Sequence, residues 1–222
     1  LLIKDGKEPK SWILNAHLLI SNGGKLNIFG GSIGNVDSLK LLSTGIDEYV
    51  TINASWGQVE INQTFITSWD PQTNGPDMVF KNIESNERLE GGRAYIRVRS
   101  LSEYQESRLD VLNSEISFLG YFDFEAWGIT WKVTGHDFDR VAVYGDMRNS
   151  FIHHNFRGHY SWGAKGSVID NNEVSFSDDY GLDPHDDSDF FIITNNHIHD
   201  KVHHGVICSK SCDKIVISNN HI

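Results

Sequence analysis

Three short stretches in the C-terminal third of the sequence decide the fold: Val168-Ile169-Asp170-Asn171-Asn172-Glu173-Val174, Ile192-Ile193-Thr194-Asn195-Asn196-His197-Ile198 and Val216-Ile217-Ser218-Asn219-Asn220-His221-Ile222. Each consists of a run rich in β-branched residues, an Asn pair and a further apolar residue. The first Asn of each pair stands at 171, 195 and 219, so the repeat advances by 24 residues each time. Looser copies occur upstream, at residues 59–62, 109–116 and 151–155.

A strand-length unit repeated at a fixed step is typical of a solenoid in which each coil packs on the next. Stacked strands lie about 4.8 Å apart, so each residue lies against the residue one coil later. The Asn side chains then form a ladder at a turn, where Asn tolerates left-handed backbone. We expect an all-β, right-handed parallel β-helix with coils of about 24 residues, and a β-sandwich is the alternative.

The domain organisation follows from the reach of this repeat. We expect one β-helix domain over residues 1–222, with an N-terminal cap and early coils to about residue 58 and catalytic coils from about residue 93 to 222. Further coils are expected after Ile222, because the sequence stops inside a repeat unit. Residues 70–92 and 132–148 are predicted to leave the stack as loops, which either wall a binding groove or are surface insertions.

The composition excludes some classes of protein. The formal net charge is −11, whereas a nucleic-acid binder needs a basic face. A polyanionic substrate would therefore require a local basic groove. No apolar run approaches the roughly 18 to 20 residues of a membrane span. The sequence has no initiator Met and no signal-peptide pattern at Leu1, so we expect a mature or trimmed chain.

Two cysteines, Cys208 and Cys212, stand close together. A disulfide, a metal-binding pair and two buried thiols all fit this spacing. Two buried thiols are favoured, because no Cys/His set with zinc spacing accompanies them.

One stretch stands out chemically from the repeats around it. Residues 180–189 place a phenol, an imidazole and four carboxylates within ten residues. The 24-residue step sets this stretch against the next coil and pairs Tyr180 with His204, Asp179 with His203, and Asp186 with Lys210. The two coils together form one surface patch.

Such a patch suits the removal of a proton next to a carboxylate. That C–H is weakly acidic, so the developing negative charge needs a cation or proton donor. A base near neutral pKa takes the proton, and His185, oriented by Asp183 or Asp186, is the natural choice. Lys210 would neutralise the substrate carboxylate, and Tyr180 would exchange a proton on the opposite face.

Each of these residues also has a structural interpretation. His185 beside several aspartates would form a surface ion pair, and His203 and His204 would be structural. The aspartates between 178 and 189 would bind Ca²⁺, which prefers carboxylate oxygens, although they lack EF-hand spacing.

The motifs carry a family resemblance. Tyr180-Gly181-Leu182-Asp183-Pro184-His185-Asp186 resembles the YG-x-DPH-[DE] signature of mannuronan C5-epimerases, which convert β-D-mannuronate to α-L-guluronate within alginate. Residues 119–130, with Leu119-Gly120-Tyr121 and Trp127-Gly128-Ile129-Thr130, and residues 204–210 resemble further segments of the periplasmic bacterial and brown-algal enzymes. The resemblance covers roughly residues 59 to 222 and looks stronger to the brown-algal enzymes, as at residues 125–128, 143–146 and 186–189.

The resemblance implies a parallel β-helix and a set of roles. His185 is implied as the base that removes the C5 proton, Asp183 as the carboxylate beside it and Tyr180 as the phenol at the reacting centre. Lys210 falls where the bacterial enzymes have the Arg that neutralises the substrate carboxylate; Lys lacks the bidentate fork. The residues expected to bind substrate are His204, Arg93, Tyr160, Lys165, Asp186 and Trp127.

The resemblance also implies a partner, a location and the cofactors. The partner is a polyanionic polysaccharide, alginate or polymannuronate, and the location is extracytoplasmic or secreted. No cofactor or metal is expected to be required, because the calcium-dependent modular epimerases carry repeat modules that this sequence lacks. Two alternatives stay open: a polyuronate lyase, which also begins with C5 deprotonation, and a non-catalytic polysaccharide-binding β-helix.

Overall fold

The computed structural model describes residues 1–6, 8–45, 48–78, 92–123, 125–201 and 203–222. These residues form strands joined by turns and loops. The strands in chain order are β1 (Leu2–Lys4), β2 (Ser11–Leu14), β3 (Leu18–Phe29), β4 (Ser38–Leu42), β5 (Thr51–Asn62), β6 (Phe65–Asp70), β7 (Gly75–Pro76), β8 (Tyr95–Ser100), β9 (Arg108–Leu112), β10 (Glu115–Ser117), β11 (Gly128–Val133), β12 (Met147–Arg148), β13 (Phe151–His153), β14 (Arg157–Trp162), β15 (Val168–Asp170), β16 (Glu173–Ser175), β17 (Leu182–His185), β18 (Ile192–Thr194), β19 (His197–His199) and β20 (Val216–Ser218).

The strands stack in parallel into three faces. Face 1 runs from β2 through β4, β6, β10, β13 and β16 to β19, and β1 joins its edge antiparallel. Face 2 contains the first half of β5 and then β8, β11, β14 and β17, while face 3 contains the second half of β5 and then β9, β12, β15, β18 and β20. Long strand β5 joins faces 2 and 3 and bends at Trp56, whose φ is 55°. The chain is a parallel β-helix, as the repeat predicts.

The predicted register is confirmed in the last coils. Val168 pairs with Ile192 and Ile192 with Val216, which is the 24-residue step. Asn172 donates from Nδ2 to Asn196 Oδ1 at 2.9 Å, and Asn196 bonds Asn220 in the same way. The side-chain amides thus satisfy polar groups at a turn that would otherwise lie buried without partners.

Upstream, the step of 24 residues does not hold. Asn171 bonds Asn149, 22 residues earlier, and Asn149 bonds Asn113, 36 residues earlier. The ladder that starts at Asn171, the first Asn of its pair, therefore passes through Asn149 and not through Asn155 of the looser repeat copy. Loops between faces, such as residues 134–146, lengthen these coils without disturbing the strand register. Most of the predicted loop at 70–92 lies outside the described residues.

The core is the column of inward side chains from all three faces. Ile116, Ile152, Val174 and Ile198 stack in successive coils of face 1, each fully buried. Stacking one aliphatic side chain on another buries apolar surface at every coil. This burial stabilises the fold by about 25 cal/mol for each Å² of apolar surface removed from water. The outward side chains are left to line the surface.

The two cysteines do not form a buried pair. Both are free thiols, with Cys208 exposed and Cys212 partly buried, where its Sγ lies 3.2 Å from Ser209 O. The expectation of two buried thiols is wrong for Cys208, because its side chain lies at the surface and not in the inward column of the core. No helix in the described ranges is long and apolar enough to cross a membrane.

Candidate active site

The candidate site lies on face 2, where β14 and β17 run side by side. Tyr160 pairs with Asp183 and Trp162 with His185. Side chains alternate along a strand, so these four point outward while Leu182 and His159 point into the core. The next coil continues the face, because Leu182 bridges Val206 and His185 bridges Ser209.

A column of glycines brings the turn before β17 close to its neighbours. Gly158, Gly181 and Gly205 occupy equivalent positions in three coils, and Gly181 N donates to His204 O at 2.9 Å. A Cβ on Gly181 would lie only 2.5 Å from Gly205 O. The close backbone approach lets Tyr180 stack on His204, with ring centroids 5.7 Å apart and planes at 8°. The pairing of Tyr180 with His204 is therefore confirmed.

The other two predicted pairings are also confirmed. His203 Nδ1 lies 2.9 Å from Asp179 Oδ1, and Lys210 Nζ lies 3.9 Å from Asp186 Oδ2. Lys210 is 69% exposed, so its ammonium is free to move toward a bound ligand.

The side chain of His185 is oriented by a carboxylate, as a general base requires. Its Nδ1 lies 2.7 Å from Asp186 Oδ2, which fixes the ring and leaves Nε2 as the nitrogen that can accept a proton. Burial lowers the pKa of His185 below its usual 6.5, against the opposing effect of Asp186. The imidazole is therefore neutral at neutral pH. Trp162 stacks beside it at 6.0 Å.

Asp183 is the most enclosed group of the site. Its side chain is fully buried, Oδ2 accepts from Arg157 Nη1 at 2.7 Å, and Oδ1 has no hydrogen-bond partner. Burial raises the pKa of Asp183 to about 7, although Arg157 opposes this rise. An unpartnered buried carboxylate oxygen is costly, which is typical of functional sites.

The two tyrosines of the site remain protonated at neutral pH. Burial raises the pKa of Tyr180 above its usual 10, and the neighbouring carboxylate of Asp179 adds to the rise. The pKa of Tyr160 is also raised, chiefly by burial. Both phenols can therefore donate hydrogen bonds or protons.

Sequence reasoning missed Arg157, which lies at the centre of the site. Its guanidinium bonds Asp179 and Asp183 at 2.6 and 2.7 Å. The same group lies over the rings of Trp127, Tyr160 and Tyr180 at 4.2, 5.3 and 4.8 Å. Arg157 thus connects residues from β14 with the turn before β17. The 22-residue step between β13 and β16 would have revealed it, because that step sets Arg157 beside the turn at Tyr180.

The expected substrate-binding residues fall into three groups. Trp127 and Tyr160 lie together in the site, with ring centroids 4.1 Å apart. Tyr160 is 1% exposed, so it packs against Trp127 and does not itself reach a ligand. Lys165 lies beyond the end of β14, where its Nζ is 3.3 Å from Asp189 Oδ2, so it lies at the border of the site. Asp186 binds His185, and His204 lies under Tyr180.

The structure does not support the expectation that Arg93 binds substrate. It is 2% exposed, and its guanidinium donates to Gly120 O, His154 O and Asp178 Oδ2 at 2.8 to 3.0 Å. These partners hold it beneath the surface, so Arg93 stabilises the solenoid and does not reach a ligand.

A basic patch extends the site toward the N-terminal coils of face 2. Arg97, Arg99 and Lys132 surround Glu125, at 3.0, 3.9 and 2.7 Å. Lys132 Nζ also lies 4.3 Å over the ring of Trp162, which in turn stacks on His185. Three cations surround one carboxylate here, so a chain of net charge −11 has a local excess of positive charge on this part of face 2, with Arg99 its most exposed member.

The aspartates of residues 178–189 do not converge on one point. Asp178 pairs with Arg93, Asp179 and Asp183 with Arg157, and Asp189 with Lys165. Carboxylates neutralised by separate cations are a poor donor set for calcium, which takes six to eight oxygens.

The comparisons agree with the fold and with the motif resemblance. A curated mannuronan C5-epimerase of Pseudomonas fluorescens is 26% identical over 162 residues, covering 69% of this chain and 28% of that protein. The crystal structure of the periplasmic alginate epimerase AlgG superposes with a TM-score of 0.75 at 17% identity, covering 94% of this chain and 46% of that one. A point variant of AlgG gives 0.76 with the same coverage.

This chain therefore spans less than half the length of the three proteins named above. The similarity to a mannuronan C5-epimerase confirms the resemblance drawn from the motifs, and the AlgG superposition supports the fold. The family model described as "Right handed beta helix region" matches residues 104–222, more than half of the sequence. The chain belongs to the right-handed β-helix family.

Proposed function

We propose that this protein is a mannuronan C5-epimerase that converts β-D-mannuronate to α-L-guluronate within alginate. One observation carries the proposal: a neutral imidazole, His185, and a protonated phenol, Tyr180, lie on one outward face and are connected through Arg157 and Tyr160. Epimerisation needs one group that takes a proton and another that returns one. The lowered pKa of His185 and the raised pKa of Tyr180 suit these two tasks.

The proposed reaction has two proton transfers. His185 Nε2 removes the C5 proton, and the electron pair of the broken C–H bond delocalises onto the adjoining carboxylate. The Tyr180 hydroxyl then gives its proton to C5 from the opposite side of the ring. The enzyme is left with an imidazolium and a phenolate, which return to their starting states by exchange with solvent.

The negative charge of the intermediate needs a nearby cation. Lys210 is the proposed neutraliser, since it is exposed beside the His185–Asp186 pair. Arg157 is a second candidate. A guanidinium has five N–H donors, and its bonds to Asp179 and Asp183 use three of them.

The substrate is proposed to lie along face 2, parallel to the solenoid axis. Trp127, which is half-buried, offers ring surface for the apolar C–H patches of a pyranose, and the buried ring of Tyr160 packs against it. Arg97, Arg99 and Lys132 would attract the carboxylates of neighbouring sugar units. Because the similar AlgG proteins are periplasmic, we also propose an extracytoplasmic location.

The test is proton NMR of polymannuronate incubated with the protein in D₂O, with and without EDTA. The expected result is new guluronate signals carrying deuterium at C5, unchanged by EDTA. Unsaturated 4-deoxy chain ends would instead identify a lyase. If folded protein bound polymannuronate without either product, the face would be a binding surface and the proposal wrong.

A further inference from the structure

Face 1 carries a second group of imidazoles and carboxylates, on a different side of the solenoid from the candidate active site. Glu173 on β16 pairs directly with His197 on β19. His199 follows two residues later on the same strand, so its side chain points the same way as that of His197. Three potential ligands therefore share one patch that spans two adjacent coils.

The ligand atoms of this patch lie close together. One atom from each of Glu173, His197 and His199 lies within 4.8 Å of the others. His199 Nε2 lies 3.4 Å from Glu173 Oε1, and the two imidazole centroids are 4.3 Å apart. Zinc–nitrogen bonds of about 2.0–2.1 Å require the ligand atoms to approach a little further, which rotation of exposed side chains allows. Glu173 and His197 are exposed.

A fourth residue orients one of the imidazoles. Asp200 Oδ2 lies 2.7 Å from His199 Nδ1, which leaves Nε2 directed toward Glu173. A carboxylate on the far nitrogen is the usual support of a metal-binding histidine, since it fixes the ring and increases its basicity. The short backbone turn at Asp200, with φ of 50°, brings the carboxylate back onto the preceding ring.

We propose that Glu173, His197 and His199 form a site for a divalent transition metal of the zinc class, with Asp200 as the positioning residue for His199. Two imidazole nitrogens and one carboxylate oxygen suit Zn²⁺ and similar ions, whereas calcium prefers oxygen alone. Three protein ligands leave a coordination position for water. The ion would join two coils, and the proposal is independent of the epimerase proposal because the reaction on face 2 does not involve these residues.

The fold contains its own control for this proposal. Two coils earlier, Glu115 and His153 occupy the same relative positions as Glu173 and His199, with His153 Nε2 3.1 Å from Glu115 Oε1. Phe151 stands where the metal patch has His197, because Phe151 pairs with Glu115 as His197 pairs with Glu173. The earlier patch therefore lacks the imidazole that stands opposite the glutamate. Its second histidine, His154, contacts Nδ1 of His153 at 2.7 Å, which is the nitrogen that does not face Glu115. The earlier patch is therefore expected to bind metal much more weakly.

Titration with Zn²⁺ by calorimetry, and with Co²⁺ by its visible absorption, tests the proposal. One ion per chain is expected, with affinity reduced more than tenfold in His199→Gln and in His197→Phe, which copies the earlier patch. Asp200→Asn is expected to weaken binding by about 10- to 100-fold, and His153→Gln to leave it unchanged. Absence of saturable binding, or equal loss in His153→Gln, would overturn the site.

Thermal unfolding provides a second readout. An ion that binds only the folded chain raises the melting temperature in proportion to the logarithm of its free concentration. Zn²⁺ is expected to raise the melting temperature of the wild-type chain and of His153→Gln, but not of His197→Phe. An equal rise in all three proteins would show that the ion acts elsewhere.

Discussion

At the scale of single residues, His185 is the side chain on which the proposed reaction depends. We expect His185→Ala to reduce C5 proton exchange by at least about 10²-fold, because His185 is the imidazole that Asp186 orients at the proposed reacting centre. His203→Ala is the matched control, since this imidazole lies on the next coil and pairs there with Asp179. Exchange is measured by deuterium incorporation in D₂O. Retention of a tenth of wild-type exchange would exclude His185 as the base.

Lys210 gives a second prediction at this scale. If its ammonium neutralises the substrate carboxylate, Lys210→Arg keeps the charge and Lys210→Ala removes it, so the alanine variant is expected to lose more turnover. Initial rates on polymannuronate decide the matter, with Lys214→Ala as a control. Lys214 lies over Phe190, outside the site. Equal losses in the two Lys210 variants would remove this residue from the carboxylate site.

Asp183 links the site to stability. Burial raises the pKa of Asp183 from its usual 3.8 to about 7 in the folded state, so between these values the folded state keeps a proton that the unfolded state releases. The wild-type chain therefore loses stability as pH rises through this interval. We expect the stability of Asp183→Asn relative to wild type to increase from pH 5 to pH 8 in urea unfolding. Asp37→Asn, at an exposed position, is the control, and parallel pH curves for Asp183→Asn and wild type would contradict the assignment.

At the scale of strands and turns, the glycine column sets how closely the coils of the site approach. A Cβ at Gly181 would lie 2.5 Å from Gly205 O and 2.7 Å from Ile198 Cγ2. We expect Gly181→Ala to reduce the free energy of unfolding by about 1–3 kcal/mol, as overpacking does. Gly75→Ala, whose new methyl would meet nothing nearer than 3.9 Å, is the control. Equal stability of the two variants would show that the column can relax.

The sequence was informative about these elements wherever the coils lack insertions. The 24-residue step correctly paired Tyr180 with His204 and Asp186 with Lys210, because no loop interrupts those coils. It failed upstream, where the steps of 22 and 36 residues hid Asn149 and Arg157. Arg93 was misplaced for a different reason. Nothing local in the sequence shows that distant carbonyl groups, those of Gly120 and His154, enclose its guanidinium.

At the scale of the whole molecule, charge is distributed unevenly. The chain carries −11 overall, yet face 2 presents Arg97, Arg99 and Lys132 around one carboxylate. A polyanion is thus repelled by most of the surface and attracted by this patch, and salt screens both effects. We expect polymannuronate binding to weaken with rising salt, with a shallower salt dependence in Arg99→Gln. Lys25→Gln is the control, because it removes the same charge from β3, where Lys25 pairs with Gln58 in the face-3 half of β5. An identical salt dependence in both variants would exclude the patch as the attracting surface.

The basic patch of Arg97, Arg99 and Lys132 lies toward the coils that come earlier in the chain than His185, whereas the described coil after His185 places the single ammonium of Lys210 beside Asp186. A polymer that lies along face 2 therefore meets unlike surroundings at its two ends. If the protein acts as proposed, the solenoid would set the direction in which the polymer binds, because reversing the polymer would place its other end against the patch. A stack of equivalent coils would bind a polymer equally well in either direction. In this protein the side chains of Arg97 and Arg99 on β8 and Lys132 on β11 make the two directions unequal.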